Sequence, residues 1–259
     1  MKVAILVAYH ASSPFTEIRD SIDPLFASEP TSIEFDLFYV KGNTPSGFVS
    51  RISHFIEKNR FQRLGLPLRI VDSILLSRYR FHSPLAKLQG HEINVDCPDE
   101  LRYLGTKMLS AYEYCVGAGY DYVFKTTTSS VIHLNRLEEF LKKIDRKAIL
   151  YAGNIINENK KPFVSGACIL LSRSTLEIIL KKKRNIDHSL LDDVALGKIL
   201  RNNGIKPTPF KSLNIQSVEE IDLNNDLQLL PLIHFRCKDT NIPRRDLEIM
   251  KRLITKLEN

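Results

Sequence analysis

The chain has 259 residues, 43% hydrophobic and 26% charged, which excludes a disordered or low-complexity protein and gives enough apolar material for one sizeable core in one domain. No stretch approaches the roughly 20 apolar residues of a membrane helix, and the short apolar run after Met1-Lys2 lacks a leader's cleavage site, so a cytoplasmic protein is expected. The formal charge of +7 suits an anionic substrate, a nucleic acid or an acidic membrane surface, but nothing resembles a helix-turn-helix, a zinc module or an aromatic nucleic-acid-binding sheet.

In chain order, Val3-Ala4-Ile5-Leu6-Val7-Ala8 reads as a buried strand, and the polar Tyr9-His10-Ala11-Ser12-Ser13-Pro14 as the loop at its carboxyl end, where open α/β sheets place their ligands. Ile33–Val40 is a second strand, closed by the turn residues Lys41-Gly42-Asn43-Thr44-Pro45. Phe48–Arg60 and Ile70–Tyr79 have helical spacing. A short strand is predicted at Ile93–Asp96, then a helix from Pro98-Asp99-Glu100 through Leu101, Leu104, Met108 and Tyr112 to the stop glycines Gly117 and Gly119.

The next strand is Tyr120–Lys125, with the polar run Thr126-Thr127-Thr128-Ser129-Ser130 at its end, and Leu134–Ile144 resumes as helix. Strands are also expected at Ala148–Gly153 and Val164–Ser172, followed by a helix through Leu180 capped by Ser172 or Ser174. Asp192-Asp193 opens a further helix, Val194–Leu200, where the helix dipole favours acids. Strands alternating with helices argue for a three-layer α/β sandwich around a mostly parallel sheet. Cys97, Cys115, Cys168 and Cys237 are far apart, with no metal-binding spacing, and read as reduced thiols. The basic runs Lys181-Lys182-Lys183-Arg184, Arg244-Arg245 and Lys251-Arg252 read as solvated faces and leave room for peripheral membrane contact.

Several segments, taken in order, resemble the β-1,3-galactosyltransferase and Fringe type of glycosyltransferase, a GT-A family. They are Tyr103-Leu104-Gly105-Thr106-Lys107, Tyr122-Val123-Phe124-Lys125, Val131–Leu137, the Ser-Gly-Gly-like stretch Ser165-Gly166-Ala167 within Phe163–Ser172, and Leu191-Asp192-Asp193-Val194-Ala195-Leu196-Gly197. The resemblance covers roughly residues 95–210 and, more loosely, the first strand. It implies a GT-A fold and transfer of a sugar from a nucleotide-sugar donor, a UDP-sugar first among them, to a glycan or glycolipid acceptor with inversion.

By the same resemblance Asp193 is the base that takes the acceptor hydroxyl's proton, and Asp192 orients it or binds sugar. Ser165, Gly166 and Ala167 lie against donor and acceptor, and Ala8, Tyr9 and His10 cradle the base and ribose. On residues alone, Asp192-Asp193 reads equally as a helix-start acidic pair, and Tyr9 and His10 as a core-edge aromatic and a loop histidine. The family's three metal-binding aspartates are replaced by Thr127, Thr128 and Ser129, and neutral hydroxyls are poor anchors for Mn²⁺. Either cations replace the metal, with Lys107, Lys125, Arg236 and Lys238 as candidates, or the protein binds nucleotides or glycans without transferring sugar. His234 falls where related enzymes place a late histidine ligand, and reads otherwise as a contact to phosphate or sugar, or as structural. Oligomeric state is not legible.

Overall fold

A computed structural model describes residues 1–10, 15–26, 31–44, 84–158, 161–188, 190–223, 231–239, 241 and 244–258. The helical spacing over 48–60 and 70–79 and residues 11–14 of the first loop fall outside them.

The apolar run at the start forms β1 (Lys2–Ala8), whose Val3 to Leu6 are at most 1% exposed. Such a strand needs cover on both faces. It lies between two parallel neighbours, β2 (Glu34–Thr44) and β5 (Tyr122–Thr127). With β3 (Ala86–Gln89), β4 (Glu92–Pro98), β7 (Tyr151–Glu158), β8 (Lys161–Ser172) and β9 (Thr208–Pro209) they form an eight-stranded sheet in the order β3-β4-β2-β1-β5-β8-β7-β9. The sheet is mostly parallel, with antiparallel pairing of β3 to β4 and of β8 to both β5 and β7. The fold is α/β, as the alternation of strands and helices predicts.

Side chains alternate across a strand, so β1 feeds two layers. Ala4 and Leu6 enter a core with α2 (Leu104–Gly117), α4 (Arg173–Lys181) and α5 (Asp192–Asn202). Val3, Ile5 and Val7 enter the opposite core, packed with Leu134, Leu137 and Leu141 of α3 (Leu134–Lys142). A second sheet, β10 (Ser212–Ile215), β11 (His234–Cys237) and β6 (Ser130–Ile132), packs with α6 (Val218–Leu223), α7 (Asp246–Glu258) and Ile18 of α1 (Phe15–Phe26).

Four expectations shift. β2 runs on through Lys41-Gly42-Asn43-Thr44, where a turn is expected, because Lys41, Gly42 and Thr44 pair with β4. The helix after β4 starts at Leu104, behind a 3-10 turn at Leu101–Tyr103, because Pro98 still pairs with Thr44 of β2 and Asp99 is drawn sideways to the Gly42 N–H and Lys107. The polar run 126–130 is partly strand: Thr126 and Thr127 continue β5 and Ser130 opens β6. The strand expected at Ala148–Gly153 begins at Tyr151 and forms a long hairpin with β8. Ser172 caps α4, accepting from the Thr175 N–H. Among the described residues no helix is long and apolar enough to cross a membrane.

Candidate active site

β5 is the axis of the site. Its alternation sends Phe124 into the α3-side core and turns Lys125 toward α5. The Lys125 side chain is 1% exposed, and its ammonium lies 2.5 Å from Asp192 Oδ2, on a carboxylate 12% exposed. An ammonium so buried persists only beside a counter-charge. Asp192 and Asp193 occupy the first turn of α5, where the helix dipole favours anions. The two carboxylates diverge: Asp193 Oδ2 accepts the Gly166 N–H at 2.8 Å, and Oδ1 accepts the Val194 N–H at 2.9 Å.

Gly166 leaves room for this convergence. A β-carbon there would stand 3.0 Å from Asp193 Oδ2 and 3.1 Å from Lys125 Nζ, closer than ordinary packing. Lys125, Asp192, Asp193 and Gly166 are thus one cluster, with half-buried Ser165 and buried Ala167 beside it on β8. At its edge, the β-carbon of Asp192 is 3.7 Å from where a side chain on Gly105 would begin, as is His188 Nδ1 at 3.6 Å.

A second cluster gathers at the carboxyl ends of β1, β2 and β4. Lys107 Nζ is 2.6 Å from Asp99 Oδ1, and the same oxygen accepts the Gly42 N–H at 3.0 Å. His10, half-exposed, is 4.0 Å from Asp99 Oδ2. Ala8 ends β1 opposite Val40 and Thr127. Tyr9 is buried, with Tyr39 edge-on at 5.4 Å and the Arg19 guanidinium over its ring at 5.4 Å.

Between α1 and the ends of β1, β2 and β5 lies a small cleft, partly open to solvent, with room for about one water. Val7, Ile18 and Tyr39 form its apolar wall, and Arg19, Thr127, Thr128 and Ser130 its polar one. Thr127 Oγ1 and Ser130 Oγ are 3.1 Å apart. Ser129 turns elsewhere, donating to Asp246 Oδ2 of α7 at 2.6 Å and accepting from Arg244 Nη2 at 3.2 Å, while Arg244 also clasps Asp246. The cleft and the carboxylates are joined through β5: Thr126, next to Thr127, donates to the Ala167 carbonyl beside Gly166 at 2.9 Å.

His234 stands apart from the carboxylate cluster. It is 1% exposed, with Ser212 Oγ at 2.8 Å from Nδ1 and Thr126 Oγ1 at 3.5 Å from Nε2. Burial, reinforced by the charge of Arg236, brings its pKa from 6.5 down to about 3, so it is a neutral core histidine at physiological pH. Arg236 is half-buried opposite Ser130 in the β11–β6 register, and Lys238 is exposed. The cysteines are buried free thiols, and burial pushes Cys97 and Cys115 up to about 12.

The turn does not fit a divalent metal. Its donors are neutral hydroxyls, Ser129 is bonded to α7, and among the described residues no group of three or more His, Cys, Asp or Glu is arranged to hold an ion. Three contributors escape a sequence reading. Arg19 carries no local signal, Asp99 looks like a first-turn acid, and Asp246 lies 117 residues from the serine it binds.

No protein-family model and no curated sequence matches the chain. Among solved structures, the galactosyltransferase LgtC in complex with donor and acceptor sugar analogues aligns over 100% of this chain and 97% of its own, at 11% identity and a TM-score of 0.45. The glycosyltransferase GlyE of Streptococcus pneumoniae TIGR4 aligns over 99% of this chain and 63% of its own, at 10% identity and a TM-score of 0.44. Its apo form aligns over 100% and 62%, at 12% identity and a TM-score of 0.45. The chain therefore spans about three-fifths of GlyE, and likenesses this remote carry no functional weight.

Proposed function

We propose that the protein is a GT-A-type glycosyltransferase that moves a sugar from a nucleotide-sugar donor to a glycan or glycolipid acceptor with inversion. The observation that carries this reading is the meeting of Asp193 with Gly166 and of Asp192 with Lys125, at the carboxyl end of β5 in a mostly parallel sheet. Ligand crevices of such sheets lie there, and all four residues fall in segments that carry the Fringe-type resemblance.

In this reading Asp193 accepts the proton of an acceptor hydroxyl while that oxygen bonds to the anomeric carbon and the bond from this carbon to the diphosphate oxygen breaks. The Gly166 and Val194 N–H groups hold the Asp193 carboxylate in place. Lys125 has no access to donor phosphate; it balances Asp192, so that two neighbouring carboxylates are held beside one ammonium. No step runs through a metal.

The test is release of nucleoside diphosphate from UDP-glucose, UDP-galactose, UDP-N-acetylglucosamine and GDP-mannose, with alkyl glycosides as acceptors, in EDTA and separately in Mn²⁺. Asp193→Asn is expected to lower turnover by about 10²–10⁴-fold while leaving nucleotide affinity within about threefold. Undiminished transfer by that variant removes the assignment. A second reading, a nucleotide- or glycan-binding protein without transferase activity, is favoured by one observation: Ser129, in the turn where the resemblance expects metal-binding aspartates, is bonded to Asp246. Nucleotide binding without turnover on any donor selects it.

A further inference from the structure

We propose that Tyr151 is a positioning residue for Asp193: its hydroxyl fastens one end of an arch in β8 and so holds the Gly166 N–H against the carboxylate. The inference rests on the reading of Asp193 as the base and names what keeps that base in place.

β7 and β8 do not stay in simple register. Gly153 of β7 faces Ile169, yet Ile155 faces Val164, so the single residue Asn154 stands opposite the four residues 165–168 of β8. Extra residues of this kind leave the ladder and re-aim the side chains and backbone groups they carry. Here they carry Ser165-Gly166-Ala167. An arch outside the ladder needs other anchors, because ordering its backbone costs conformational entropy that the ladder no longer offsets. Gly153 forms the neck of the arch. A β-carbon there would collide with both the Cys168 carbonyl oxygen and Val164 Cγ1, the two ends, and its φ of +150° suits glycine.

Two hydrogen bonds close the ends. At one, Thr126 Oγ1 donates to the Ala167 carbonyl at 2.9 Å. At the other, the Val164 N–H donates to the Tyr151 hydroxyl oxygen at 2.7 Å, with both residues buried. Between them the Gly166 N–H reaches Asp193 Oδ2. The same hydroxyl lies beneath α5: a β-carbon on Gly197, one turn beyond Asp193, would stand 3.4 Å from it. Tyr151 thus supports both partners of the Gly166–Asp193 bond, the arch through Val164 and the helix through Gly197. Burial raises its pKa, so the hydroxyl stays neutral and brings no further negative charge toward Asp193. Phenylalanine would fill the same space and leave the buried Val164 N–H without its acceptor.

The experiment is NMR of the full chain labelled with ¹³C-carbonyl serine and ¹⁵N-glycine, which selects the two Ser-Gly pairs of the sequence, Ser46-Gly47 and Ser165-Gly166. It compares wild type with Tyr151→Phe, Asp193→Asn and, as a control for lost core packing, Ile179→Val. Asp193→Asn identifies the Gly166 signal, because a neutral acceptor makes a weaker hydrogen bond and moves the amide proton upfield. Tyr151→Phe is expected to move the same signal upfield and to speed its exchange with solvent by at least about tenfold, while Ile179→Val moves neither signal. In the transfer assay above, Tyr151→Phe is expected to lower kcat by about tenfold with the donor KM within about threefold of wild type. An unmoved Gly166 signal in folded Tyr151→Phe, an equal shift in Ile179→Val, or an undiminished kcat overturns the proposal. If Tyr151→Phe does not fold, meta-fluorotyrosine at position 151 keeps the hydroxyl but makes its oxygen a weaker acceptor, and it should move the Gly166 signal the same way by less; no movement overturns the proposal. A Gly166 shift in a protein that transfers no sugar upholds the clamp while removing the transferase reading.

Discussion

Replacing Lys125 by methionine keeps the bulk of its stem and removes the ammonium, leaving Asp192 facing Asp193 with its cation gone. Removing one partner of a buried pair costs about 3–5 kcal/mol, because the other charge stays behind without compensation. Lys125 is 1% exposed but Asp192 is 12% exposed, so some water reaches the carboxylate and the lower end, about 3 kcal/mol, is expected. At roughly 2–4 °C per kcal/mol for a chain of this size, the melting temperature should fall by about 6–12 °C. The chain contains no tryptophan, so urea unfolding followed by far-ultraviolet circular dichroism is the suitable assay. The variant Lys125→Met/Asp192→Leu, with both charges replaced by apolar groups, should recover most of the loss. The double-mutant cycle should then return a coupling of at least about 2 kcal/mol. A single variant within about 0.5 kcal/mol of wild type, or an additive cycle, would refute the buried pair.

Two further perturbations probe the frame around the site. In Gly197→Ala the new β-carbon would stand 2.4 Å from Phe163 Cβ, where α5 crosses β8, and a loss of about 1–3 kcal/mol in urea unfolding is expected; unchanged stability would contradict that close approach. His234 binds its proton only near pH 3 in the folded chain but at 6.5 when unfolded, so between those values the unfolded state holds more protons and stability rises with pH. His234 should therefore contribute a loss approaching about 1.4 kcal/mol per pH unit as pH falls below 6.5, levelling off near 3. Folded His234→Gln should show a shallower acid limb, and an identical limb would mean that the imidazole titrates normally.

The sheet was legible where burial on both faces makes a strand apolar throughout, as in Val3–Leu6. It was not legible at β9, β10 and α6, which are short enough that only their partners reveal them. Pro98-Asp99-Glu100 has the composition of a helix start, yet Asp99 is engaged by Gly42 and Lys107 on two other elements, and spacing cannot anticipate that. In the candidate site, Asp193 and Gly166 are 27 positions apart and meet in space. Reading Lys125 as a phosphate contact overlooked strand alternation, which turns it inward toward α5. Arg19 went unnoticed because one arginine in an amphipathic helix carries no signal until the strand ends opposite it are known.

The hydrogen bond between Ser129 and Asp246 has a consequence for the order in which the molecule is assembled. Chains emerge from the ribosome at about 5–20 residues per second, so the 128–130 turn is made several seconds before the aspartate that fastens it. Closing that span carries an entropic cost that grows only slowly with its length, and the contact is secured when α7 docks its apolar face on Ile221 and Phe235. Until then β5 and β8 can already be paired, with Lys125 and Asp193 in place, while the turn beside them is unfastened. The contact ties the turn carrying Thr127, Thr128 and Ser130 to α7, so the shape of that wall depends on a helix more than 100 residues further along the chain.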